Sequence, residues 1–222
     1  MYNHISRSSA WKVAVSAANS LGLDISKARP DELCLVAPFS ASEGSYIIKL
    51  NDAIQKDILP FAKGLLDRDA FVAVGMSLGI IPVEIVSGNA VYMPPKFWPD
   101  KNIFNEATSG LIEHKALEGL YWGDHTITTN EGKRITNRLN MTFRTVQDTQ
   151  QSATTDNVQN GMEIKELGAP IRFGGGDENE IQIRVRATDK TNIAGNANRL
   201  NYLFIGLYGA IIKGASTKLT TS

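Results

Sequence analysis

Two stretches near the end of the chain constrain the fold most. Glu180-Ile181-Gln182-Ile183-Arg184-Val185-Arg186 alternates apolar and polar residues one for one. That period predicts a strand with Ile181, Ile183 and Val185 inward and Gln182, Arg184 and Arg186 outward. A polar loop follows, and then Tyr202 to Ile212 is apolar throughout. A run of that kind predicts a strand covered on both faces. One amphipathic strand feeding one buried strand is how an antiparallel sandwich closes its core.

Other segments extend the β reading. Glu32 to Ala37, Ser45 to Leu50, Ala70 to Ile81, Pro82 to Val86 and Ala90 to Met93 all read as strands. So do Tyr121 to Thr129, with a bulge or turn at Gly123-Asp124, and Arg134 to Phe143, with Ile135, Leu139, Met141 and Phe143 spaced in twos. In Ala70 to Ile81 the parity of Val72, Val74, Met76, Leu78 and Ile80 is expected to be the buried one. The small residues Gly75, Ser77 and Gly79 on the other parity predict close approach of another backbone. Ser87-Gly88-Asn89 is a tight turn. Asn51 to Leu66 is ambiguous: Ile54, Ile58 and Leu59 fit a helical face that Pro60 stops. Glu106 to Leu120 predicts a short inserted helix ending near Gly119. Arg144 to Gly161 is a long polar loop.

A helix also precedes the sheet. Trp11, Ala14, Val15, Ala18 and Leu21 fall at helical spacing, with Ser8 or Ser9 as N-cap and Gly22 as the stop. This helix either packs on its own domain or docks as an arm on a neighbouring subunit. The division expected is an arm over residues 1–28, a sandwich over 29–214 and a short polar tail over 215–222.

The search for chemistry returns isolated groups. Gly75-Met76-Ser77-Leu78-Gly79 fits the spelling of a nucleophile elbow, but Pro82 follows within five residues where the motif requires a helix. Asp67-Arg68-Asp69 reads as a solvated turn or a local ion pair. Gly174-Gly175-Gly176 lacks the helix a phosphate cradle needs and reads as a turn. His4, His114 and His125 have no metal-ligand spacing, and His125 beside Asp124 is not thereby a dyad. No catalytic, metal or cofactor site is expected, and an enzyme ranks last. The one cysteine, Cys34, reads as a small buried hydrophobe. The aromatic side chains remain: Phe97 and Trp98 in the proline-rich loop Pro94 to Asp100, and Tyr121 and Trp122 beyond the inserted helix. They either cap the core or stack a carbohydrate or peptide.

Bulk properties limit the partners. Lys plus Arg equals Asp plus Glu at 23 each, so the surplus of positive charge normal for phosphate neutralisation is missing. The N-terminal segment carries only Arg7 and Lys12, which argues against direct nucleic-acid contact. No apolar run is long enough to span a membrane, and the first residues lack the pattern of a secretory signal.

The fold class is therefore all-β: an antiparallel two-sheet jelly-roll sandwich with an N-terminal helical arm and a short inserted helix. Ser8 to Leu21 as arm, Ala70 to Ile81 and Glu180 to Ile212 as core strands, the Asp67 to Val72 lead-in and the insertion around Phe104-Asn105 and Ala116 to Trp122 together resemble a bacteriophage or viral capsid protein. The resemblance is one of architecture. It implies a virion structural protein, made in the host cytoplasm, that self-assembles as a homo-oligomer and meets other virion proteins without catalysis. The alternative is a carbohydrate- or peptide-binding sandwich that uses Phe97, Trp98, Tyr121 and Trp122.

Overall fold

The computed structural model describes residues 5–97, 119–143, 164–186, 193–196 and 199–215. Helix α1 (Arg7–Ser20) comes first. Strands β1 (Ala28–Pro38) and β2 (Ser45–Lys49) follow, then helix α2 (Asp52–Ile58). The long strand β3 (Ala70–Val86) turns into β4 (Asn89–Tyr92). The remaining strands are β5 (Asp124–Thr129), β6 (Gly132–Leu139), β7 (Lys165–Gly174), β8 (Glu180–Arg184), β9 (Gly195–Asn196) and β10 (Arg199–Ile212).

These strands form two antiparallel sheets, so the protein is an all-β sandwich. The larger runs β1-β10-β3, and β3 then pairs β7 along its first half and β4 along its second; β9 adds to β10. The smaller runs β2-β8-β5-β6. One pattern underlies both. β1 pairs β10, β2 pairs β8, β3 pairs β7 and β5 pairs β6. The chain is thus a long two-stranded ribbon, turned back at the β5–β6 hairpin. It rolls up until β10 lies beside β3 and β8 beside β5.

The core lies between the sheets. Leu33 and Leu35 of β1, Met76, Leu78 and Ile80 of β3, Ile181 and Ile183 of β8, and Leu203, Ile205 and Leu207 of β10 meet there. The expected inward face of Glu180 to Arg186 is therefore observed, and Val185 is buried too. β10 is buried on both faces because two covers sit on the outside of the larger sheet. Over one end lies α1, whose Ala10, Ala14 and Ala18 rest on Val72, Val74, Ala210 and Ile212. Over the other lie Leu59, Ala62 and Phe97, on Val36, Ile81, Val83 and Phe204.

Local chemistry sets the boundaries and corrects several expectations. The N-cap of α1 is Ser6, two residues before Ser8: its hydroxyl oxygen accepts the Ser9 N–H at 3.2 Å. Gly22 then leaves the helix at a positive φ of 71°. Asn51 caps α2 by accepting the N–H groups of Ala53 and Ile54, which settles the ambiguous stretch as a single short helix. In the β3–β4 hairpin the positive φ values fall on Ser87 and Gly88, a two-residue turn whose twist matches the strands.

β3 does not keep one buried parity. Val74 has no opposite residue on β10, where Ala73 pairs Gly209 and Gly75 pairs Tyr208. This bulge shifts the phase. Phe71 and Ala73 point into the sandwich before it, and Met76, Leu78 and Ile80 after it, while Val72 and Val74 lie under α1. The small residues do admit close neighbours: a Cβ on Gly79 would lie 2.6 Å from the Lys96 carbonyl oxygen.

Two further expectations fail at the smaller sheet. Tyr121 and Trp122 end a helical turn, and the strand starts only at Asp124. Gly123 makes the junction, since a Cβ there would lie 1.7 Å from the Arg184 carbonyl oxygen. The period-two reading of Arg134 to Phe143 also breaks. Asn137 takes a positive φ of 47°, β6 stops at Leu139, and residues Asn140–Phe143 wind into a 3-10 turn. Phe143 is buried, whereas Leu139 and Met141 are exposed. The inserted helix before Gly119 and the polar loop Arg144 to Gly161 lie outside the described residues, as does the tail beyond Ala215.

Candidate functional site

The groups with chemical potential are used structurally. Ser77 sits mid-strand in β3, fully buried, with its hydroxyl 3.1 Å from that of Tyr208. No elbow is present at Ser77, because β3 runs on to Val86. Arg7 closes over the same tyrosine, 5.7 Å from the ring centroid, and pairs Glu32 at 3.0 Å. Burial pushes the Tyr208 hydroxyl up to about 12, against the Ser77 hydrogen bond, and pushes the Cys34 thiol up to about 11. Cys34 is half-buried beside the second cover.

The charged triplet divides. Asp67 is exposed and accepts from the Asn51 amide at 2.8 Å. Asp69 is not solvated: it is fully buried and accepts the Gly214 N–H at 3.0 Å. Lys213 lies 3.7 Å from its second oxygen, and Arg68 4.0 Å from the first. The triple glycine is a turn between β7 and β8, and Gly175 there leaves no room for a Cβ, which would lie 1.8 Å from the Leu66 carbonyl oxygen. His125 is fully buried, with Nδ1 2.9 Å from Asn140 Oδ1. His4 and His114 lie outside the described residues. Among the described residues, no three His, Cys, Asp or Glu side chains converge as a metal site would require, and no helix is long and apolar enough to cross a membrane.

The structure separates the expected contact residues. Of the helical set, Ala14 and Ala18 face the chain's own sheet, Trp11 and Val15 flank that contact half-exposed, and Leu21 is exposed. Of the aromatic set, Phe97 packs edge-on against Phe204 with centroids 5.8 Å apart. Tyr121 is fully buried and donates its hydroxyl to the Leu78 carbonyl at 3.1 Å, so it offers no face to a ligand. Trp122 is 46% exposed. Trp98 lies outside the described residues.

What the sequence reading missed is a set of exposed apolar side chains brought to one end of the sandwich. At the end where β1 stops and β2 starts, Trp122, Leu139 and Met141 are exposed on the smaller-sheet side. Tyr92, Phe61 and Leu200 are exposed on the larger-sheet side, Phe61 and Tyr92 with rings edge-on at 5.3 Å. That end also exposes Arg138, Arg184 and Arg186, and the opposite end, where β5 turns into β6 and β7 into β8, exposes Ile25 and Leu66 beside Arg68, Glu131, Lys133, Arg134, Glu178 and Lys213. The apolar residues at the first end lie far apart in the chain, and only the strand registers bring them to that end.

The fold defines the chain as an all-β sandwich. Comparison of the chain with protein-family models, curated proteins and solved structures found no match.

Proposed function

We propose that this chain is a virion structural subunit, a capsid protein that assembles through contacts between copies and performs no chemistry. The observation that carries the reading is the rolled ribbon. Setting aside the short β4 and β9, eight strands pair first with last, second with seventh, third with sixth and fourth with fifth. That connectivity is what a jelly roll requires, an architecture used by capsid subunits and by lectins. The end that exposes Trp122, Leu139 and Met141 supports assembly over sugar binding. It combines Trp, Tyr, Phe and Met, the residues enriched at protein interfaces.

Truncation of the N-terminal helix is a poor test, because it uncovers Val72, Val74 and Ile212 and invites nonspecific aggregation. Light scattering on the full chain is better, alongside a Leu139→Asp, Met141→Asp variant. The wild type is expected at a defined multi-subunit mass, and the variant at a lower one. A wild type that stays monomeric at every concentration would sink the proposal, and glycan screening against Trp122 would follow.

A further inference from the structure

The corner that carries Trp122, Leu139 and Met141 hangs on one buried amide. Asn140 is fully buried. Its Nδ2 donates to the Leu120 carbonyl at 2.7 Å and reaches the Arg184 carbonyl at 3.5 Å. Its backbone N–H donates to the Gly123 carbonyl at 2.9 Å. Asn140 thereby ties the turn after β6 to the helical end before β5 and to the end of β8.

The amide also fixes the state of His125. With Nδ2 turned to carbonyls, Oδ1 is an acceptor, so His125 Nδ1 carries the proton. Nε2 is then a bare lone pair, and it is buried without a hydrogen-bond partner. A proton added there creates a buried positive charge, which the Arg138 backbone carbonyl favours but burial opposes more strongly. The charges nearby oppose one another. Asp124 adjoins on β5 but is shared by Arg184 at 3.5 Å and Arg186 at 3.8 Å. Arg138, the partner of His125 on β6, is a cation. The partner on β8 is Ile183, and Phe143 lies with its ring centroid 5.4 Å away. Burial accordingly pushes His125 down to about 4, against the Asn140 hydrogen bond, with Arg138 lowering it further and Asp124 raising it.

We propose that His125 and Asn140 form an acid-sensitive latch, in which a proton on His125 Nε2 frees residues 119–124 and 139–143 from the end of the smaller sheet while the long strands of the larger sheet stay paired. The sign follows from the shift. The closed corner holds His125 neutral and the open one lets it protonate near 6.5, so closure is fully favoured above about pH 6.5 and weakens as pH falls toward 4. Between pH 7 and 5 the opening equilibrium rises about 20-fold.

Hydrogen exchange of the full chain, corrected for the intrinsic effect of pH, tests this. Peptides over 119–143 are expected to lose protection by about that factor, while those over 70–81 and 203–212 hold theirs. His125→Gln, neutral at every pH, is expected to abolish the difference. The same pH response in that variant overturns the latch. Should the variant not fold, the wild type decides alone: equal loss across both sheets means whole-chain unfolding and overturns it as well.

Discussion

Asp69 shows how much a residue's meaning depends on partners far along the chain. Read locally, it is the third charge of a solvent-facing triplet. In the fold it lies under the end of β10 and accepts the N–H of Gly214, a residue 145 positions later. A part-buried hydrogen bond to a charged acceptor contributes about 1.5–3 kcal/mol. Asp69→Ala is therefore expected to lose about that much stability in urea unfolding. Asp67→Ala, at an exposed side chain two residues away, is expected to stay within about 0.5 kcal/mol of the wild type. Equal effects from the two would contradict the clamp. Nothing in Asp67-Arg68-Asp69 itself distinguishes the two acids. The same holds for His125, whose role rests on Asn140, 15 residues away in the next turn. The inward alternation at Ile181 and Ile183, by contrast, was legible, because a strand's side-chain period depends on nothing beyond the strand.

At the level of elements, the sequence foretold that β10 is covered twice but not what covers it. The first cover is α1, and its contact is made by three alanines, Ala10, Ala14 and Ala18. A strip so shallow lets the helix lie close on the sheet and leaves no room for a longer side chain. Ala14→Glu is expected to lift α1 away, seen as new protease cleavage within residues 7–27 while the strands stay protected. An unchanged digestion pattern would mean that the helix is held by something other than this strip. The bulge in β3 was illegible for a different reason. Val74 is an ordinary β-branched strand residue, and Gly75 beside it reads equally well as a site of close backbone approach. Its partner strand carries the mark instead: a Cβ on Gly209 would lie 1.9 Å from the Val72 carbonyl oxygen. Gly209→Ala is expected to cost about 1–3 kcal/mol, read as a lower urea midpoint.

At the scale of the whole molecule, a two-sheet sandwich was legible from strand spacing and turn chemistry, and the partner of each strand was not. Pairing β1 with β10 matches Ala28 to Ile212, and no local period encodes a partnership of that span. The exposed side chains Phe61, Tyr92, Trp122, Leu139 and Leu200 reach one end of the sandwich only through these pairings, so the chain does not announce them.

The placement of β10 also bears on how the protein is made. The strand that lies between β1 and β3 in the larger sheet is synthesised after both of them. Until it has left the ribosome, β1 and β3 each present an open edge, and the surface meant for β10 is bare. Contacts of such long sequence separation form slowly. Every partly made copy is therefore adhesive, and release of residues up to Ile212 is the event that allows the sheet to close.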